Sequence, residues 1–343
     1  MLNSNNKKIL ITRLKFIGDI ILTTPLIETF KVNFPDTEIY YLAEKEASQL
    51  LVGNPYLSGI IPLDYKLTNF DYLKFILNLR KNNFDIVIDL FGNPRSTLLT
   101  FLSGAKIRIG GDYKSRNKFY TDSINENQTI NNQVERHLLF ASCFGVKQKF
   151  IKTKVYLSSE EKAEAENMLN NIGIDLNKSI VGIYPGATWQ AKKWFPERFA
   201  SLADKIKIDT GSQVLFFKSR EDAELIHSIK EKAVSDHFYL DNYNIRTTAA
   251  LLAFVNVFVS NDCGLMHLAP AVGTKTVGLF GPGENNMWFP YSLEDGCVSL
   301  RKHVPCHPCH LDFCDKLDCW KLLEVEEVLE QINYLLSFNN ISG

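Results

Sequence analysis

The stretch VSNDCGLMHLAPAVGTKTVGLFGP, residues 259–282, reads as the end of a buried strand (256–260), a polar turn (261–264), a short helix (265–272) and a second strand (275–280). This order sets Asn261, Asp262 and Gly264 at the carboxyl end of a strand, facing the start of a helix. In open parallel sheets that crevice binds ligands. Free N–H groups and partial positive charge at a helix start suit a phosphate. A carboxylate does not, so Asp262 reads as a helix cap, while Gly264 lets the backbone approach a ligand.

Outward from this unit, short apolar runs alternate with amphipathic segments. In the first half the expected strands are 8–12, 38–42, 59–63, 85–90 and 106–109, with helices over 72–82 and 134–144. In the second half the strands are 180–184, 213–217, 237–240, 255–260 and 274–280, with helices over 196–207, 222–233 and 247–254. Alternation of this kind is the signature of a parallel α/β sheet. The polar, basic stretch 145–159, leading into a charged helix at 159–171, divides the chain into domains 1–155 and 156–343. The expectation is two Rossmann-like α/β domains in tandem with a cleft between them. A last helix, 325–336, is expected either to cap the second core or to cross back to the first domain.

Composition narrows the function classes. With 343 residues, 45% hydrophobic, 22% charged and a net charge of −1, the chain offers no global field for nucleic acid. No apolar run reaches membrane-spanning length, and MLNSNNKKIL holds no signal-type apolar segment. Seven cysteines, an odd number, suit a reducing compartment, so the expected location is the cytoplasm.

Three further segments carry candidate chemistry. In KILITRLKFIGDIILTTPL (8–26) a strand runs into a loop, and Asp19 stands at the start of a helix. It reads either as a first-turn acid favoured by the helix dipole or as a general base for a hydroxyl. The spacing is not G-x-G-x-x-G, so the dinucleotide fingerprint is absent. In VGIYPGATWQAKKWFPERFASLADKI (181–206) a glycine turn after a strand carries Thr188, Lys192 and Lys193, a hydroxyl and point charges suited to a diphosphate. In FKSREDAE (217–224) an acid, Glu221 or Asp222, follows a strand where such folds bind a ribose diol. His267, in the first turn of the helix after Gly264, reads either as a phosphate contact or as a packing histidine.

Two segments remain. CHPCHLDFCDKLDCW (306–320) spaces Cys306, Cys309, Cys314 and Cys319 as C-x2-C-x4-C-x4-C, compatible with structural zinc or with free or paired thiols. KIRIGGDYKSRNK (106–118) is locally basic, and its Arg108, Lys114 and Arg116 suit an anionic acceptor or a solvated loop.

The runs KILITR with GDIILTTPL, YPGATWQAKKWFPERF and SNDCGLMHLAPAVGTKTVGLFGP, in this order and spacing, resemble glycosyltransferase family 9, the ADP-heptose:lipopolysaccharide heptosyltransferases. The resemblance implies a GT-B fold and an inverting transfer without a required cofactor. It implies an ADP-heptose or related nucleotide-sugar donor, held mainly by the second domain. The implied acceptor is an anionic lipopolysaccharide core, met at the inner-membrane surface. It places Asp19 as the base and Lys192 and Thr188 at the donor phosphates. Glu221 falls at the ribose, and Asp262, Gly264 and His267 fall in the donor turn and helix. Cys263, Tyr184 and Gly283 depart from the residues usual in the family at their positions.

Overall fold

The largely apolar strands KILIT, IVID, IVGIY and KTVGLF lie at or near the centres of two parallel sheets, almost wholly buried. Burial on both faces is what such continuous apolar runs require. The computed structural model describes residues 7–112, 116–125, 130–146 and 148–337. The chain divides into two units, Met1–Tyr156 and Leu157–Gly343.

The first unit runs β1 (Lys8–Thr12), α1 (Ile17–Ile21), α2 (Thr24–Asn33), β2 (Glu38–Glu44), α3 (Lys45–Ser48), β3 (Gly59–Leu63), α4 (Asn69–Arg80), β4 (Ile86–Asp89), α5 (Pro94–Leu102), β5 (Ile107–Gly111), β6 (Asp122–Ile124) and α6 (Gln133–Ser142). The second begins with α7 (Ser159–Asn171), β7 (Ile180–Tyr184), α8 (Pro196–Thr210), β8 (Gln213–Phe216), α9 (Ala223–Lys232), β9 (Phe238–Tyr239) and α10 (Ile245–Leu252). It continues with β10 (Val257–Asn261), α11 (Gly264–Ala271), β11 (Lys275–Phe280), α12 (Asn285–Trp288), β12 (Cys297–Arg301), α13 (Asp318–Lys321) and α14 (Val325–Ser337).

Among the described residues the sheets run β3-β2-β1-β4-β5-β6 and β12-β11-β10-β7-β8-β9, all pairs parallel. Both orders are the doubly wound 3-2-1-4-5-6 arrangement, which reverses between β1 and β4 in one sheet and between β7 and β10 in the other. Thr12 pairs with Asp89 across the first reversal, and Ser260 with Tyr184 across the second.

Local signals explain the helix ends. Thr68 caps α4 by accepting from the Asp71 N–H, and Asn93 and Ser96 form a capping box around α5, which has Pro94 in its first turn. Ser158 and Glu161 do the same for α7, and Gly211, at φ 67°, ends α8 in the left-handed region. Several short elements lie outside the expected set, among them α5, β6 and β12. Helix α5 is a short apolar segment, and β6 and β12 are sheet-edge strands whose side chains are largely half-exposed, so none carries a clear period.

The core of the second unit gathers residues from β7, α8, β10 and β11 around the buried Trp194 and Trp320. Helix α14 contributes Val325, Val328, Leu329, Ile332 and Leu335 to this core, so the last helix caps its own unit. Ile332→Ala leaves a cavity beneath α14 and should cost about 2–5 kcal/mol. Denaturant melts followed by tryptophan fluorescence measure this, and an unchanged midpoint would mean that α14 is not part of the cooperative core.

Candidate functional site

In the first unit β1 delivers Arg13 just past its carboxyl end, and Asp19 follows in the first turn of α1. The Arg13 guanidinium pairs with Asp19 Oδ1, both side chains being largely buried. Its plane lies 4.4 Å from the centroid of Phe91, which follows β4 on the other side of the reversal. Asp19 Oδ2 makes no hydrogen bond among the described residues. One carboxylate oxygen is thus fixed and the other open, an arrangement suited to accepting a proton from a bound hydroxyl.

Asp89, the last residue of β4, holds the facing loop. It is buried and accepts from the Phe91 and Gly92 N–H groups, both at 3.0 Å, from Ser96 Oγ at 2.9 Å and from Tyr120 Oη at 2.8 Å. Burial raises its pKa, and the four donors oppose that rise. Behind the site, His137 Nδ1 lies 3.2 Å from the Leu22 carbonyl oxygen, and burial, with help from the charge of Arg13, pushes its pKa down to about 3.

Of the basic residues expected to meet an anion, Arg116 donates to the Gly92 carbonyl and so reaches the loop after β4. Arg108 does not reach it. Its guanidinium donates to the Ala105 and Phe119 carbonyls at 2.8 and 3.1 Å, which bind it to the turn entering β5, at the amino end of the strand. Lys114 lies outside the described residues.

In the second unit β7 runs into the turn that carries Thr188 and then a single 3-10 turn, Gln190–Lys192. Lys192 Nζ lies 2.6 Å from Asp262 Oδ2 and 4.6 Å from the Trp189 ring centroid. Asp262 therefore does not cap α11. The cap position is Cys263, which makes no side-chain cap bond, and Asp262 is the counter-ion of Lys192. Asp262 Oδ2 accepts no hydrogen bond among the described residues, so the pair is held by charge and the ammonium keeps its donors for a ligand.

Asn261, fully buried at the end of β10, ties the two loops together. Its Oδ1 accepts from the Trp194 N–H at 3.3 Å and its Nδ2 donates to the Pro185 carbonyl at 2.7 Å. Gly186 has no room for a side chain: a Cβ there would stand 2.5 Å from Tyr184 Oη and 2.7 Å from Asp222 Oδ1. Asp222 is buried and accepts from the Ser219 N–H and hydroxyl, which leaves the exposed Glu221 as the free acid beyond β8. Thr188 is exposed and has no hydrogen bond among the described residues.

His267 is buried in α11, with Nδ1 3.3 Å from Tyr291 Oη. Burial, and next the charge of Lys192, push its pKa down to about 3, so it serves as a neutral hydrogen-bonding group and not as a second cation. Gly264 opens the same helix.

The cysteine segment packs on the Lys192 turn. The Ala191 N–H donates to the Asp312 carbonyl at 3.0 Å, Trp320 Nε1 donates to the Ala191 carbonyl at 2.7 Å, and the Cys314 N–H donates to Gln190 Oε1 at 3.3 Å. Cys306, Cys309, Cys314 and Cys319 are free thiols, and burial pushes Cys319 up to about 11. Among the described residues no group of three or more His, Cys, Asp or Glu side chains is placed to hold a metal ion. Through its bonds with Ala191 and Gln190 the segment braces the turn.

The residues that sequence reasoning missed are Arg13, Asp89 and Tyr291. Arg13 stands just past the end of a central strand, and that position is the available signal.

Two doubly wound units, each with polar groups gathered at the reversal of its sheet, define the GT-B class of glycosyltransferases. The model of glycosyltransferase family 9 (heptosyltransferase) matches residues 72–319, more than half of the chain, and the protein belongs to that family. It is similar to lipooligosaccharide heptosyltransferase 2 of Campylobacter jejuni, at 26% identity over 343 residues, covering 97% of this chain and 100% of the relative. Among solved structures, the family 9 glycosyl transferase of Veillonella parvula superposes with a TM-score of 0.88 at 22% identity, covering 97% of this chain and 98% of that one. The E. coli ADP-heptose lps heptosyltransferase II follows at 0.80 and 24%, covering 96% and 98%.

His137 and His267 give the fold a defined acid response. In the folded chain both titrate near 3, whereas an unfolded histidine titrates near 6.5. Below that value the unfolded state binds more protons, so stability falls as pH drops, by up to about 1.4 kcal/mol per pH unit for each histidine. Denaturation midpoints followed from neutral to mildly acidic pH should decline more steeply in the parent than in a His137→Gln/His267→Gln variant. Equal slopes would place the acid response elsewhere.

Proposed function

We propose that this enzyme is an inverting, metal-independent glycosyltransferase that moves a heptose from ADP-heptose to the inner core of lipopolysaccharide or lipooligosaccharide, at the cytoplasmic face of the membrane. The observation that carries this reading is the complementary chemistry at the two sheet reversals. One offers a carboxylate with a free oxygen, the other a lysine in a glycine-bounded turn beside a helix start. Family membership supplies the reaction class, and the E. coli relative supplies the donor by its name.

In this reading Asp19 Oδ2 takes the proton from the acceptor hydroxyl, and the oxygen attacks the anomeric carbon from the side opposite the diphosphate. The C–O bond to the diphosphate breaks, and its electron pair leaves with ADP. Lys192, the Thr188 hydroxyl and the N–H groups opening α11 at Gly264 meet the charge that develops on the leaving group. His267 adds a neutral hydrogen bond, Asp262 orients Lys192, and Glu221 accepts from the ribose hydroxyls. On the acceptor side Arg116 attracts the anionic core. Fixed protein charge in this arrangement does what a divalent cation does elsewhere.

The direct test is incubation with ADP-heptose and heptose-deficient lipopolysaccharide core, read by mass spectrometry for one added heptose. Asp19→Asn should lower the transfer rate by about 10²–10⁴-fold with ADP affinity by calorimetry unchanged. Lys192→Ala should weaken both ADP binding and turnover, and Lys193→Ala much less. Near-normal transfer by Asp19→Asn, or a larger loss at Lys193, would overturn these roles.

Transfer should also persist after exhaustive chelation and dialysis. Loss of activity that magnesium, manganese or iron restores, with melting temperature unchanged, would require a catalytic cation.

A further inference from the structure

Helix α4 has two apolar faces. Tyr72, Ile76 and Leu79 are buried in the first unit's core, as amphipathic packing requires. Phe70, Leu73 and Leu77, spaced three and four residues apart, form a second stripe with relative exposures of 77%, 46% and 56%. Helical periodicity puts these three on one side, turned away from the buried set. Beside it, α5 exposes Leu98 and Phe101, and Phe101 meets Phe119 edge-on at 5.5 Å. So many large apolar side chains in one region of a monomer's surface mark a contact site.

The charged side chains around this surface are mostly positive. Lys74, Arg80 and Lys81 flank the α4 stripe, and Lys106 and Lys118 border the α5 side, all exposed. Lys118 Nζ stands 5.5 Å from the Phe119 ring and the Arg108 guanidinium 5.8 Å from the Phe101 ring, so the cations sit among the aromatics. The acid on α4 is Asp71, whose carboxylate accepts from the Thr68 hydroxyl at 2.7 Å, and α5 carries none.

We propose that the outward face of α4 and α5 docks on an anionic lipid bilayer, the apolar side chains entering the acyl boundary and the lysines and arginines meeting the headgroups. Aromatic and leucine side chains beside snorkelling cations are what an interfacial helix presents. A second copy of the chain is a poor occupant, because a twofold contact sets this cationic rim against itself. Among the described residues no helix is long and apolar enough to cross a membrane, so surface contact is the mode that this face provides.

Topology gives the docking a purpose. Helix α4 begins just after the carboxyl end of β3, at the same edge of the sheet as Asp19, Arg13 and the loop after Asp89. Phe70 and Leu73 lie in the turns of α4 nearest that edge. A lipid-borne acceptor therefore enters the membrane beside the site that takes its hydroxyl, and this purpose rests on the acceptor proposed above.

The test is sedimentation with vesicles of phosphatidylethanolamine containing phosphatidylglycerol, against vesicles of phosphatidylcholine alone. The protein should bind the anionic vesicles, less at high salt. Lys74→Glu/Lys81→Glu should lower the partition coefficient by about 25-fold or more, since each basic residue near an anionic surface is worth about fivefold. Leu73→Ser/Leu77→Ser should lower it as well, with melting temperature unchanged in both variants. Both should transfer to a water-soluble core oligosaccharide as the parent does, and lose transfer to acceptor embedded in vesicles. Absence of parent binding, equal binding by the variants, or a dimer in analytical ultracentrifugation that the variants abolish would overturn the proposal. Absence of transfer to the soluble acceptor by every form, with vesicle binding behaving as described, would overturn the acceptor reading and leave the docking face standing.

Discussion

The constraint on which both units depend is the reversal of strand order at the middle of each sheet. Where neighbouring strands send their chains to opposite faces, the two loops at their carboxyl ends separate and leave backbone and side-chain groups without sheet partners. Each unit closes that gap with its own stitching. In the first, the Arg13 guanidinium bridges from Asp19 to the face of Phe91, while Asp89 pins the loop carrying that ring. In the second, Asn261 holds the Pro185 carbonyl and the Trp194 N–H, and Lys192 pairs with Asp262 across the same gap. The groups proposed to act on substrate are thus the groups that fasten the reversal.

This double duty explains why so many polar residues there are buried. An unpaired buried charge is costly, and an ion pair recovers the cost only with good geometry. Lys192 stands 2.6 Å from Asp262 and over the Trp189 face, and the turn beneath it is fixed by three hydrogen bonds with the cysteine segment. That bracing replaces the regular secondary structure that a single 3-10 turn lacks, since a turn of this kind has few internal hydrogen bonds of its own. A lysine on a braced turn loses less entropy on meeting a diphosphate than one on a free loop.

The fold was legible because parallel strands must be apolar on both faces and helices amphipathic, so β1, β3 and β7 could be read to the residue. The edge strands β6 and β12 were not, because DSI and CVSLR mix polar and apolar residues without a period, whereas the edge strand β3 is an apolar run. At the sites, residue type and the position after a strand singled out Asp19, Lys192 and Asp262. Pairing was invisible, because it depends on which strands become neighbours. Asp262 reads as a cap by local rules, yet the adjacency of β10 and β7 offers it a lysine. Arg108 lies in a basic run, but the run crosses from one end of β5 to the other, and strand polarity puts its guanidinium at the wrong end. The apolar face of α4 escaped for the opposite reason: periodicity locates a core face, and a second stripe on the same helix only blurs that signal.

The two reversals also differ in sign, and this follows from what each can stabilise. Beyond β1 the acid is held by a cation on one oxygen only, so Arg13 balances the ionised carboxylate while the second oxygen keeps a lone pair for the proton of the proposed mechanism. Beyond β7 the cation is held by an acid, and beside it His267 is kept neutral by burial and by that same lysine. A protonated His267 would add charge, but at the expense of placing two cations in a buried space before any anion is present. A neutral imidazole avoids that repulsion and still offers a hydrogen bond. Beside the neutral His267 the positive group is thus Lys192, with Asp262 fixed next to it. In the proposed reading an arriving diphosphate competes with Asp262 for the ammonium, which favours ligands that carry more than one negative charge and bring partners for Thr188 and the start of α11 as well.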